Sequence, residues 1–202
     1  MWFWGFGRKE EAPTDEALME RFQRGDRQAL GTLYDRYAHR LRAYAAKQGA
    51  KRPDDLVQDA FLRVVRNGGS WKADAKFKTW LFQIARNLTV DASRRDKFRQ
   101  MPSLDQPIGR DGDDERTLGD RFAADVPEGD GERRTADGQF KVAYEAALAT
   151  LPDEQRQVFL LRQYGDLSFA EIATEVGINE NTAKSRMRYA LQTLRAALHD
   201  HI

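Results

Sequence analysis

The stretch from Leu167 to Leu198 constrains this chain most, because it reads as a short helix, a tight turn and a longer helix. Ser168-Phe169-Ala170-Glu171 places a hydroxyl at a cap position and a carboxylate three residues on, the spacing of a capping box. Ile172, Ala173 and Val176 then give one short apolar face. Gly177 follows, where only glycine takes a left-handed backbone without steric cost. Asn179 is placed to cap the next helix. There Ala183, Met187, Ala190, Leu191, Leu194 and Leu198 recur at helical spacing as the expected buried stripe. The opposite stripe carries Asn181, Lys184, Ser185, Arg188, Gln192 and Arg195, side chains that reach base edges and phosphates. The pattern predicts a helix-turn-helix whose second helix enters a DNA major groove. An ordinary helical hairpin with a solvated basic face is the competing reading, and the rest of the chain separates the two.

The rest of the chain also reads as helical. Thr14 or Asp15 can cap a short helix bearing Leu18, Met19 and Phe22, which Gly25 ends. Asp26 can cap the next, where Leu30, Leu33, Tyr34, Tyr37, Leu41 and Tyr44 fall at three- and four-residue spacings. Pro53-Asp54-Asp55 opens a third helix, with proline where its missing N–H costs little and acids at the positive helix end. Leu56, Val57, Ala60, Phe61, Val64 and Val65 form its expected apolar side, and Asp55, Gln58 and Asp59 its polar side. From Trp71 to Gln100, the apolar residues Phe77, Trp80, Leu81, Ile84, Ala85 and Leu88 run among Lys72, Lys76, Lys78, Arg86, Arg94, Arg95, Lys97 and Arg99. Rings interleaved with cations suit single-stranded nucleic acid, whose bases stack while its phosphates are held. Most of these rings are expected in the core, with Trp71 the least committed.

Charge is segregated along the chain even though the net charge is only +1. Ten Lys/Arg stand against three Asp from Arg63 to Arg99, and eleven Asp/Glu against five Arg from Pro102 to Gly138. The latter stretch has no apolar period and holds three prolines and six glycines, so it reads as a flexible, self-repelling linker. A structureless run of 37 residues marks a boundary between domains. The expected architecture is therefore all-α, with two small helical domains, an N-terminal helical bundle and a C-terminal helix-turn-helix, joined by the acidic linker. The divisions fall at 1–13 for an aromatic tail, 14–101, 102–138 and 139–202. The tail, with four aromatics among Met1–Gly7, reads either as an unanchored terminus or as an aromatic anchor for a partner.

Several chemistries are disfavoured. The chain has no cysteine, hence no disulfide, thiol nucleophile or thiolate metal site. No apolar run is long enough to span a bilayer, and the N-terminus does not read as a secretory signal, so a cytoplasmic protein is expected. No phosphate-binding loop or dinucleotide fingerprint occurs. Asp54, Asp55 and Asp59 raise the alternative of a Mg²⁺-dependent helical enzyme, but no second acidic cluster or base completes such a site.

The order of motifs resembles bacterial RNA polymerase sigma factors of the extracytoplasmic-function (ECF) class of the sigma-70 family. Pro53-Asp-Asp-Leu-Val-Gln-Asp-Ala-Phe-Leu-Arg-Val is similar to that family's polymerase-binding helix. Phe77-Lys-Thr-Trp-Leu-Phe-Gln-Ile-Ala-Arg-Asn-Leu is similar to its promoter-opening helix. Leu151-Pro-Asp-Glu-Gln-Arg-Gln-Val-Phe, Leu167-Ser-Phe-Ala-Glu-Ile-Ala and Asn181-Thr-Ala-Lys-Ser-Arg-Met resemble its second domain. Two positions depart from the pattern, Asn181 where the family often has Gly and Ala183 where it often has Val.

The resemblance implies a non-enzymatic protein without cofactor or metal, which binds the beta and beta-prime subunits of core RNA polymerase, directs them to promoter DNA and is silenced by an anti-sigma factor. It implies polymerase contacts at Asp55, Leu56, Gln58 and Asp59, and minus-10 contacts at Lys76, Trp80, Arg86, Asn87 and Asp91, with a base flipped over Asn87. It implies minus-35 contacts at Asn181, Thr182, Lys184, Ser185, Arg188 and Tyr189. A polymerase-independent helix-turn-helix regulator is the alternative; it leaves the Asp55–Asp59 face and the Trp71–Gln100 stretch without a role.

Overall fold

The structure, a computed structural model, describes residues 12–100 and 131–199, with side chains over 12–95 and 138–199. The aromatic run Met1–Gly7, the cations Lys97 and Arg99 as side chains, and most of the expected linker lie outside what is described. The described residues contain helices only: α1 (Asp15–Gln23), α2 (Arg27–Lys47), α3 (Pro53–Asn67), a 3₁₀ turn at Gly68–Ser70, α4 (Phe77–Gln100), α5 (Gly131–Thr150), α6 (Asp153–Gly165), α7 (Phe169–Val176) and α8 (Glu180–Ala197). Among the described residues no helix is long and apolar enough to cross a membrane.

Local chemistry sets most of the boundaries. The Thr14 hydroxyl accepts from the Ala17 N–H, and the Asp26 carboxylate accepts from the N–H groups of Gln28 and Ala29, so α1 and α2 each start on a side-chain cap. Such a cap is typically worth about 1 kcal/mol. Pro53 occupies the first turn of α3, as its sequence context requires. The start of α4 is capped from a distance: the Phe77 N–H donates 3.1 Å to the Glu16 carboxylate on α1. Gln23 Nε2 donates to the carbonyls of Gly68 and Trp71 at 2.8 and 2.9 Å, which pins the α3–α4 connection against α1. Neither long-range cap is visible in local sequence.

Helix α2 is the hub. It touches α1, α3, α4 and α6, while α8 gathers α5, α6 and α7. Leu33, Leu41, Tyr44, Phe77, Leu81 and Phe82 are fully buried on the first side, and Leu160, Leu161, Leu167 and Ile172 on the second. Burying one such side chain is worth roughly 1.5–3 kcal/mol. The two halves share one continuous apolar core. Tyr44 and Phe82 meet edge to face with centroids 5.5 Å apart, and Gly165 of α6 lies against the Phe82 ring. A Cβ at Gly165 would sit 3.4 Å from that ring and 3.1 Å from Leu167 Cγ, so a larger residue there needs Leu167 to give by a few tenths of an ångström.

Several expectations are corrected. Helix α5 begins at Gly131, inside the stretch read as linker: once the Ala147–Leu148 face is packed, extending a helix backwards through polar residues costs little per residue. Trp71 is buried rather than uncommitted. Val65 and Leu191, both expected in apolar stripes, are 49% and 36% exposed, because each lies at the edge of its helix's buried arc.

Candidate nucleic-acid and polymerase interfaces

Three surfaces carry the residues singled out in sequence. The first is the outer face of α3, where Asp55, Gln58 and Asp59 are exposed one turn apart, while Leu56 points inward and is 7% exposed. Leu56 therefore supports this face from beneath rather than forming its outer surface. Farther along the same face Leu62 and Val65 are exposed, and Tyr34 of α2 lies alongside, its ring 4.9 Å from Phe61. The apolar extension was missed in sequence because Val65 has the spacing of a core residue and Leu62 was given no role. Asp54 pairs with Arg42 and Asp55 with Arg52, and among the described residues no group of three His, Cys, Asp or Glu could hold a metal ion. The acids point to separate cations instead of converging.

The second surface is α4. Its buried stripe of Phe77, Leu81, Ile84, Ala85 and Leu88, joined by Phe82, faces the core. That leaves Lys76, Asn87 and Asp91 exposed and Trp80 and Arg86 half-buried along the outer edge. Trp80 rests against Phe77, with centroids 6.3 Å apart, so its ring is oriented before any partner arrives. Asn87 and Asp91 are one turn apart on an open face.

Two of these five residues are already engaged by the second half of the chain. Lys76 Nζ is 3.1 Å from the Glu171 carboxylate, to which the Thr79 hydroxyl also donates at 3.0 Å. Arg86 lies 3.6 Å from Glu175, whose side chain is only 4% exposed. Beside them Lys78 donates to both the carbonyl and the carboxylate of Asp166, at 2.7 and 3.0 Å. Burial pushes the Glu171 carboxyl up, but hydrogen bonds from Ser168, Lys76 and Thr79 outweigh it and hold it down to about 2. At Glu175 the same burial wins and raises the carboxyl above its usual range, because Arg86 and Gln83 only partly offset it. Lys78 holds Asp166 below that range.

The third surface is α8. The Ser168 hydroxyl accepts from the Glu171 N–H while the Glu171 carboxylate accepts from the Ser168 N–H, so both halves of the capping box are present. Gly177 has φ of 75°, and Asn179 accepts from the Thr182 N–H at 2.7 Å. These three devices hold α7 and α8 in the helix-turn-helix geometry. Asn181, Lys184, Arg188 and Tyr189 are exposed, and Thr182 and Ser185 half-exposed. Ser185 Oγ donates 3.0 Å to the Asn181 carbonyl, Lys184 pairs with Glu180, and the Arg188 guanidinium lies 4.9 Å over the Tyr189 ring. Phe169, Met187 and Leu191 floor a shallow groove whose cationic rim is Lys184, Arg188 and Arg195. The groove was missed because Leu191 reads as core by periodicity.

Two sigma-70 family models match this chain, region 2 over residues 33–99 and region 4 over residues 141–194, so the α2–α4 and α5–α8 surfaces each fall in one matched region. The ECF RNA polymerase sigma factor SigL of Mycobacterium tuberculosis is 33% identical over 175 residues, covering 85% of this chain and 89% of that protein. The chain belongs to the ECF RNA polymerase sigma factors. Two solved structures share the fold. CnrH in complex with the cytosolic domain of CnrY matches at TM-score 0.63 and 22% identity, covering 93% of this sigma factor and 99% of that chain. The sigma factor RpoE of Bartonella quintana, in complex with the anti-sigma factor NepR, matches at TM-score 0.58 and 21% identity, covering 84% and 96%.

In this sigma factor, region 4 holds the exposed polar face of α8 and region 2 the aromatic-basic edge of α4. The acidic residues that meet Lys76 and Arg86 come from α7, within region 4. Sequence reasoning assigned Glu171 only its capping role and gave Glu175 none. The signal that would have found them is their four-residue spacing on the polar side of α7.

Proposed function

We propose that this ECF sigma factor binds the beta and beta-prime subunits of core RNA polymerase in the cytoplasm and directs them to its promoters by two separate readings. The observation that carries this is the pair of outward-facing surfaces, α4 in region 2 and α8 in region 4, built on independently capped helices. Asp55, Gln58 and Asp59 supply the polymerase contact, with Leu56 holding their backbone and Leu62 extending the face. Lys76, Trp80, Arg86, Asn87 and Asp91 engage the minus-10 strand. Asn87 offers both a donor and an acceptor to a base edge, which is fully readable only once the base leaves the stack. Asn181, Thr182, Lys184, Ser185, Arg188 and Tyr189 read the minus-35 duplex in the major groove. Residues 14–101 and 139–202 are the units that part to span the two elements, with the acidic stretch between them as tether.

The protein's own contribution is non-covalent: it positions DNA and polymerase, and polymerase supplies the chemistry. The silencing partner is an anti-sigma factor, as one accompanies the Bartonella relative. Run-off transcription with purified core polymerase over a genomic promoter library tests the reading. Specific transcripts that depend on this protein are expected. Specific promoter binding without polymerase, and no transcripts with it, would favour an autonomous helix-turn-helix regulator.

A further inference from the structure

The cations that the promoter reading assigns to minus-10 DNA are the ones that α7 occupies. Helix α7 presents Glu171 and Glu175, one turn apart, toward α4. Lys76 and Thr79 converge on the first, and Arg86 and Gln83 face the second. Lys78 clips Asp166 at the entrance to the same helix-turn-helix, and Arg40 of α2 donates 2.8 Å to the Tyr164 carbonyl. In general the first helix of a helix-turn-helix crosses the DNA backbone, so its outer side is not meant to lie against protein when DNA is bound.

The pairing at Arg86 is incomplete. At 3.6 Å it is too long for a hydrogen bond, and Arg86 Nε and Glu175 Oε1 are both buried without a hydrogen-bond partner. A desolvated pair with unmet hydrogen bonds holds weakly, and removing one member leaves the other charge uncompensated. By contrast Glu171 is fully bonded, and half of its bonds belong to the capping box and persist when α7 leaves α4. The contact is thus built to release without unfolding α7.

We propose that α7 is an intramolecular cover for the α4 DNA surface: Glu171 and Glu175 take the places of nucleic-acid phosphates on Lys76 and Arg86, and promoter engagement requires their release. The proposal rests on Lys76 and Arg86 being minus-10 contacts. Asn87 stays exposed under the cover, so the mask acts on the phosphate-holding cations and not on base reading. The apparent affinity for single-stranded DNA is lowered by the fraction of molecules that are open.

The chain has no cysteine, so a donor–acceptor dye pair can be placed cleanly on Arg66→Cys and Ala196→Cys of the full-length protein. The test variant is Glu171→Gln/Glu175→Gln, in which glutamine still completes the capping box. Glu20→Gln/Asp35→Asn, away from the contact, carries the same change of charge. The readouts are dye–dye energy transfer and binding of a labelled 20-nucleotide thymidine strand. Relative to the control, the test variant should lose energy transfer and bind the strand about 5–10-fold more tightly, the gain expected if the closed form dominates by that ratio. Unchanged energy transfer overturns the latch. Reduced transfer with affinity equal to the control overturns the mask. Adding Lys76→Ala/Arg86→Ala to the opened variant should then abolish the gain. If affinity instead stays high, the minus-10 reading of these two cations fails while the latch stands.

Discussion

Substitution of Arg188 by alanine separates base reading from phosphate holding at the minus-35 element. Arg188 is exposed, so its loss leaves folding nearly unchanged, and alanine is the best helix former. A bidentate arginine–guanine contact is worth about 1–3 kcal/mol of discrimination. In the free protein, however, the guanidinium lies 4.9 Å over the Tyr189 ring and donates 3.3 Å to its hydroxyl. An exposed cation–ring contact contributes about 0.5–1 kcal/mol, which is given up if the guanidinium swings to a base. The net cost of Arg188→Ala is then about 0–2.5 kcal/mol at one base position, or up to roughly 70-fold in preference there. Arg195 sits two turns farther along α8 at the rim of the groove. Its replacement should weaken all promoters alike and lower the salt dependence by about one unit. The assay is transcription of a randomised minus-35 library by holoenzyme carrying each variant. A uniform loss for Arg188→Ala with a position-specific loss for Arg195→Ala refutes the assignment.

Reversing Asp55 and Asp59 to lysine should abolish binding to core polymerase without altering the melting temperature by more than a few degrees, since both are exposed on α3; pull-down and thermal melts read the two effects. Asn87→Ala should reduce permanganate reactivity of the open complex more than it reduces duplex binding. Phe82→Ala should cost about 3–5 kcal/mol in denaturant unfolding, because its ring is fully buried between Tyr44 and Gly165 in the core shared by both halves. Glu171 falls from an ordinary 4.5 to about 2 in the folded protein, so its stabilising contribution is complete above pH 4.5 and is lost as pH falls through about 2. In acid titrations followed by circular dichroism, Glu171→Gln should flatten the change in stability across that window.

The helix-turn-helix was legible because each of its parts is a local device. Ser168, Glu171, Gly177 and Asn179 act on backbone within three or four residues, and the structure places every one in its expected role. The same is true of Asp26 and Pro53. What periodicity resolved poorly was the width of each buried arc. Val65 and Leu191 have the spacing of core residues yet fall at the margin, where the neighbouring helix no longer covers them. What it could not resolve was contact between distant segments. Glu16 capping α4, Gln23 pinning the turn before it, and Gly165 admitting the Phe82 ring depend on three-dimensional approach across dozens of residues. The meeting of α7 with α4 belongs to this class. Read locally, Lys76 and Arg86 are cations awaiting DNA; in the folded chain they already have carboxylates opposite them.

The strength of that meeting decides whether the domains can still part. Lys76 is 61% exposed in its pair with Glu171, and Asp166 is 68% exposed in its pair with Lys78. Pairs so open to water typically contribute about 0–1 kcal/mol each. The Arg86–Glu175 pair is drier but has no hydrogen bond between its two members, and dry pairs barely repay their desolvation. The ionic contacts therefore add little net attraction while paired and fix which surfaces meet, but neutralising the carboxylates alone leaves Arg86 buried without its counter-charge and tips the seam open. The attraction itself comes from apolar burial along α2, α4 and α6, centred on Phe82. Moving a two-state equilibrium from 1:99 to 99:1 takes about 5.5 kcal/mol of differential binding. On the proposed reading, a polymerase that engages α3 on one half and receives the other half at a distance must supply differential binding of that order. A partner that binds the closed form better than the open one needs less, because the seam already favours that form. A chain closed by a dry apolar seam and registered by weak ion pairs is consequently responsive to both partners, whereas one closed by strong buried salt bridges would favour the inhibitor alone.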